Sequence, residues 1–159
     1  MRLLLVVGKS PEWADDVAAF EAMGVPHDKM GINAAAIWLK GKATHAFSYC
    51  PTEVNRVKEF YPDTITHAAL PGEADHYWRM KGDTGGSSSL MGTKVALKYL
   101  GYDRVVLAGV PLTGYYHRHF FQHWQEAVPF LSGRVRSMSG HTRDLLGYPD
   151  KEWLHEHIC

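Results

Sequence analysis

The chain has 159 residues and a mass of 17.9 kDa, the size of one domain. Its 17 Lys+Arg balance its 17 Asp+Glu, so it lacks the basic excess of a generic polyanion binder. No stretch approaches the roughly 18 apolar residues of a membrane span, so neither nucleic acid nor membrane is the expected partner.

Arg2–Val7 is an apolar run of the kind found in strands covered on both faces. It stops at Gly8-Lys9-Ser10-Pro11, too early for a secretory h-region of roughly 7–15 residues. Ser10 and Pro11 then read as N-cap and first residue of a helix that reaches Met23 and closes at Gly24. Lys29–Asn33 is a second strand, Ala34–Leu39 a helical turn stopped by Gly41, and Ala43–Ser48 a third strand. Pro51 opens a helix ending near Phe60, and Thr64–His67 is a short strand. Pro71 to Ser87 shows little periodicity and reads as a long loop of the kind that is functional or mobile. Ser88–Leu100 is an amphipathic helix closed by Gly101. Arg104–Ala108 is a strand, Tyr116–Val128 an aromatic-rich helix, and Gly133–Arg136 a further candidate strand. Two short helices, Gly140–Leu146 and Asp150–His157, complete the chain.

Alternating strands and helices predict a single α/β domain over residues 1–159: three layers, Rossmann-like, with a mostly parallel sheet of about five strands. In such folds the ligand lies beyond the carboxyl ends of the strands, where the strand order reverses. That places Gly8–Pro11, Asn33, Ser48–Pro51 and Gly109–Tyr116 on one rim. The cysteines, Cys50 and Cys159, are far apart and do not suggest a structural disulfide. A reducing compartment, the cytoplasm of a bacterial host, fits that usage.

Four segments carry candidate chemistry. Gly85-Gly86-Ser87-Ser88-Ser89 leads into a helix, where open amides, hydroxyls and the positive helix end suit a phosphate or carboxylate. The P-loop and G-x-G-x-x-G spacings are both absent, and a plain loop with a serine cap is the competing explanation. Gly8, Lys9 and Ser10 stand at the first strand-to-helix turn, where Lys9 could meet a phosphate and a simple capped turn would look the same. Arg136, Ser137, Ser139 and Arg143 surround another helix start and form a second candidate anion site, the alternative being a solvated helix with surface arginines. Among the 10 histidines, His117 and His119 follow the Gly109 strand end and are candidate general bases. His119 and His123 share a helix face, but no zincin motif accompanies them. Glu73, Asp75 and Asp83 offer carboxylates for a divalent cation such as Mg²⁺ beside a nucleotide phosphate.

The run Gly85-Gly86-Ser87-Ser88-Ser89, then Lys94 to Gly101, then Arg104-Val105-Val106-Leu107-Ala108-Gly109 resembles the pattern of Rossmann-like proteins related to archaeal-type hydroxymethylpterin pyrophosphokinase and bacterial sialyltransferases. Gly8-Lys9-Ser10-Pro11 resembles their Gly-Pro-Ser turn, and Gly31-Ile32-Asn33 their strand ending in a nucleotide-facing Asn. The resemblance covers Met1 to Leu112 and departs at one point: Val110-Pro111 stands where an acidic residue is expected. The segment Arg136-Ser137-Met138-Ser139-Gly140, with Thr142 and Leu145-Leu146-Gly147, is similar to small proteins of bacteriophage and prophage genomes.

The resemblance and the rim loops together imply a nucleotide- or nucleotide-sugar-binding protein that transfers a glycosyl or phosphoryl group. In that picture Gly8, Lys9, Ser10, Asn33, Ser48, Gly85, Gly86 and Ser87 to Ser89 hold the ligand, and Arg136 or Arg143 adds charge. His117 or His119 supplies the base. Two alternatives stand beside it: a non-catalytic nucleotide-sequestering module of phage origin, and a structural protein that self-associates through the aromatic stretch Tyr115 to Phe130.

Overall fold

The computed structural model describes residues 1–80, 87–114 and 117–156. Strands and helices alternate as β1 (Leu3–Val7), α1 (Trp13–Glu21), β2 (Asp28–Ile32), α2 (Ala35–Trp38), β3 (His45–Ser48), α3 (Pro51–Phe60) and β4 (Ile65–Ala68). There follow β5 (His76–Tyr77), α4 (Ser88–Lys98), β6 (Arg104–Ala108), α5 (Arg118–Leu131), β7 (Val135–Ser137), α6 (Gly140–Leu146) and α7 (Lys151–His155). None of the described helices is long and apolar enough to cross a membrane.

The strands form one sheet in the order β5-β4-β3-β2-β1-β6-β7, and every pairing is parallel. The expectation of about five strands is corrected to seven among the described residues, and the expected parallel character holds in every pairing among them. The extra members are short. β5 is two residues inside the stretch expected to be a loop, too short to show a period, and β7 is three residues that overlap the candidate strand Gly133–Arg136.

Burial explains the apolar runs. All five residues of β1 and of β6 are buried, because helices cover both faces of the sheet. Leu4, Val6, Met30, Phe47, Val105 and Leu107 point to one layer, where they meet Leu90 and Val95 of α4 and Trp124 and Leu131 of α5. Leu3, Leu5, Val7, Ala46 and Val106 point to the other, against Val17 and Phe20 of α1, Val54 and Val57 of α3, and Trp153 of α7. Each fully buried side chain of this size contributes about 1.5–3 kcal/mol relative to exposure.

Two close approaches set the helix positions. A Cβ on Gly92, inside α4, would lie 3.0 Å from Ile32 Cδ1 and 3.2 Å from Met30 Sδ. Glycine weakens a helix interior by about 1 kcal/mol, but here it lets α4 settle onto β2 and β3. A Cβ on Gly31 would lie 2.2 Å from Ala36 Cα, so α2 rests directly on the β2 backbone. Gly31→Ala therefore forces backbone apart and is expected to destabilise the fold by about 3 kcal/mol, read from the urea midpoint.

Candidate functional site

Consecutive strands from β1 to β5 spread to one side of β1, and the chain then returns to lay β6 against its other side. The carboxyl ends of β1 and β6 are thus the switch point, the place where parallel sheets open a crevice. Two glycines let the strand ends meet there. A Cβ on Gly8 would sit 2.4 Å from the Gly109 carbonyl oxygen. Gly109 has φ +65°, and a Cβ on it would sit 2.6 Å from Trp13 Cβ. Gly8 N–H donates to Ala108 O at 2.8 Å, and Ser10 N–H to Gly109 O at 3.3 Å.

A cleft of about 600 Å³ opens above this junction. The turn after β1 supplies Gly8, Lys9, Ser10, Pro11 and Glu12 to its wall, and the end of β2 supplies Ile32 and Asn33. The start of α4 supplies Ser87 to Ser89. The connection from β6 to α5 supplies Gly109 to Gly114 and His117, and Phe120 of α5 closes that side. Lys9 and Glu12 are the Lys, Arg, Asp or Glu side chains among the described lining residues.

The polar groups of the wall are partly committed and partly open. Ser87 caps α4, its Oγ accepting from Leu90 N–H at 3.4 Å and lying 2.6 Å from Ser89 Oγ. Ser88 Oγ accepts from Tyr49 N–H at 3.2 Å, tying α4 to the start of α3. The Ser88 and Ser89 amides have no acceptor among the described residues, as first-turn amides lack intrahelical partners. Ser10 Oγ is buried with no partner among them. Asn33 takes φ +54° at the end of β2. Leu112 takes φ +56°, an uncommon geometry for a non-glycine residue and one that clusters at functional sites.

The β6–α5 connection is held from behind by the start of α6. Thr142 Oγ1 donates to Val110 O at 2.6 Å, and His141 N–H donates to Pro111 O at 2.8 Å. Asp16 of α1, itself buried, accepts from Gly109 N–H at 2.8 Å and from Ser139 Oγ at 2.7 Å through one carboxylate oxygen. One side chain thus joins α1, the end of β6 and the start of α6.

The structure brings together Gly8, Lys9, Ser10, Asn33, Ser87, Ser88, Ser89 and His117. Gly85, Gly86 and Asp83 lie outside the described residues. Ser48 is buried at the end of β3 and does not line the cleft, and His119 packs its ring 3.9 Å from that of Phe120 instead. Arg136, Ser137, Ser139 and Arg143 lie outside the cleft lining, with partners inside the fold. Arg136 donates to Leu146 O and lies over the Trp153 ring, and Arg143 lies over the Tyr148 ring. Ser137 Oγ lies 2.7 Å from Thr142 Oγ1. Among the described residues, no group of three or more His, Cys, Asp or Glu could hold a metal ion, and Asp75 joins Thr66 and Lys58. Sequence reasoning missed Glu12, Phe120 and Asp16. The last sits inside an amphipathic helix, where a carboxylate reads as solvated surface.

A second polar constellation was also missed. Trp78 Nε1–H donates to His67 Nδ1 at 3.0 Å, and His67 Nε2 lies 3.0 Å from His45 Nδ1. His45 Nε2 lies 3.0 Å from Tyr102 Oη, which donates to Asp28 Oδ2 at 2.7 Å. Indole is a donor only and carboxylate an acceptor only, so the two ends fix every proton between them. Both imidazoles are neutral with the proton on Nε2, and each donates toward Asp28. Burial drives both histidines below the usual imidazole range, His67 to about 3. Burial and the Asp28 carboxylate push the Tyr102 phenol up.

No protein-family model and no curated protein matches the chain. A crystal structure of a protein from Lactobacillus plantarum is similar, with a TM-score of 0.53 at 14% identity over 86% of this chain. The match covers 59% of that protein, so this chain spans less than two thirds of its length. At that identity the likeness shows a shared α/β architecture alone.

The Asp16 brace is testable. Asp16→Ala leaves the Gly109 amide and the Ser139 hydroxyl without their acceptor, and the fold is expected to lose about 2–3 kcal/mol by urea denaturation. Asp16→Asn keeps an acceptor and is expected to lose less.

Proposed function

We propose that the cleft binds the phosphate of a nucleotide or nucleotide-sugar and that the protein transfers a glycosyl or phosphoryl group from it. The observation that carries this reading is a set of donors at the switch point that line one cleft and have no partner among the described residues. Ser10 Oγ is buried with no partner among the described residues, and the Ser88 and Ser89 amides open α4 on the same cleft. In this reading the oxygens of a phosphate accept from these groups while the helix end and Lys9 offset its charge. Asn33 and Glu12 suit ribose hydroxyls, Asn33 as donor and acceptor and Glu12 as acceptor. Ile32, Val110, Leu112 and Phe120 supply apolar surface for a base.

His117 stands at the N-cap of α5 on the cleft wall. In this reading it takes the proton of an acceptor hydroxyl as that oxygen bonds to the sugar carbon or to phosphorus. The bond from that atom to the leaving group breaks, and the departing phosphate carries away the electron pair beside the α4 amides. One observation favours the second reading, a binding module without turnover: Val110-Pro111 places no carboxylate after Gly109.

A thermal-shift panel of nucleoside mono-, di- and triphosphates, sugar nucleotides and pterins, with and without Mg²⁺, tests both readings. A ligand at 100 times its Kd adds about 2.7 kcal/mol, a rise of several degrees in Tm. Ser10→Ala is expected to weaken the responding ligand about tenfold. His117→Ala is expected to retain binding and lose product formation by mass spectrometry. Binding without products in the unaltered protein selects the module, and a flat panel overturns both readings.

A further inference from the structure

The Trp78–His67 bond closes a strap at the edge of the sheet. The strap runs from Asp75 through β5 to Trp78, and its side chains are exposed apart from the half-buried Trp78. Its ladder on β4 is two residues long, followed by Trp78 N–H donating to Ala68 O at 2.9 Å. The Trp78 ring stacks on Tyr99 at 4.9 Å, and its indole donates to the buried His67. The other end is held differently. Asp75 accepts from Thr66 N–H at 2.8 Å and Thr66 Oγ1 at 3.0 Å, and pairs with Lys58 at 2.7 Å.

We propose that His67 is the sensor of an acid-released strap: a proton taken at Nδ1 ejects the Trp78 indole and lets residues 75–78 lift from the sheet edge, hinged at Asp75.

The proton order of the chain selects this event. His67 Nε2 already carries a proton and donates it to His45, so an added proton enters at Nδ1. There it meets the indole N–H head-on, donor against donor, while the links from His67 to His45, Tyr102 and Asp28 keep their polarity. One bond breaks, and it is the side-chain hydrogen bond that joins the Trp78 end of the strap to the buried chain. The charged and titratable groups around the pair are Arg2 before β1, Asp28 of β2, Asp75 with Lys58 of α3, His76 of β5, and Tyr102 after α4. His76 stacks on His67 at 5.2 Å and opposes a second positive charge there. The hinge survives the titration. Burial works against the Asp75 carboxylate, but Lys58 and Thr66 outweigh it and keep it ionised below the usual carboxylate range.

The direction follows from linkage. With the strap closed, burial and the neighbouring His45 and His76 hold His67 near 3; with Trp78 displaced and His67 solvated, it returns toward 6.5. The open form therefore binds the proton, and closure is undiminished above about pH 6.5 and weakens as the pH falls toward 3. For a His67 that regains 6.5 on opening, the open population rises about 25-fold between pH 7 and pH 5.

The test is hydrogen exchange of the indole N–H groups in the whole chain, followed by NMR, with the Trp78 resonance identified by its loss in Trp78→Phe. Protection is expressed relative to free tryptophan at the same pH, which removes the intrinsic pH dependence. Trp78 protection is expected to fall by up to about 25-fold from pH 7 to pH 5. Trp153, whose indole donates to a backbone carbonyl, Gly133 O, at 2.8 Å rather than to an imidazole, is expected to hold its protection. Equal losses at Trp78 and Trp153 would mean global acid unfolding and overturn the proposal, as would a flat Trp78. His67→Gln is expected to abolish the response and His76→Gln to keep it, and loss of the response in His76→Gln would overturn the assignment to His67. Should His67→Gln fail to fold, imidazole nitrogen shifts in the unaltered protein decide. They must report a neutral, Nε2-protonated His67 at pH 7, and any other tautomer overturns the proposal.

Discussion

The contact between Gly8 and Gly109 is the constraint on which the rest of the site depends. A side chain at either position would collide with backbone, so the carboxyl ends of β1 and β6 approach only because both residues lack one. That approach decides where α1 begins and where the β6–α5 connection departs, and hence the shape of the cleft. Asp16 then joins the Gly109 amide to Ser139, and Thr142 holds Val110 from behind. The wall of the cleft is therefore anchored to α1 and α6 as well as to the sheet.

The other side of the molecule depends on a different economy of protons. Two histidines lie buried within the parallel strands β3 and β4, and they are tolerated because each ring nitrogen has a partner. The order comes from the ends of the chain, Trp78 and Asp28, rather than from the histidines. A network with every donor matched rigidifies its surroundings, but a single surplus proton has nowhere to go without breaking a bond.

The sequence is most legible where one element carries its whole signal. The apolar runs of β1 and β6 and the Ser87 cap of α4 announce buried strands and a helix start, and the structure places them so. The cleft follows from the topology rule once those strands are parallel. Legibility ends where meaning depends on distant partners. His45 and His67 read as incidental residues in strand runs, since their hydrogen bond spans 22 positions. The segment Arg136 to Arg143 has the composition of an anion site, yet the structure turns Arg136 onto Leu146 O and Trp153, and Arg143 onto Tyr148. Composition shows which groups are available for a ligand, and packing decides which of them have already found partners.

The interior position of β1 also has a consequence during synthesis. Its first neighbour, β2, emerges soon after it, but its second is β6, with Leu4 opposite Val105. At translation speeds of about 5–20 residues per second, β6 follows β1 by on the order of 5–20 s. For that interval the growing chain carries one unpaired edge along five buried-type residues, Leu3 to Val7. An open edge of that composition invites pairing with other chains. The nascent protein is thus exposed to aggregation through a strand that later lies fully buried inside its sheet.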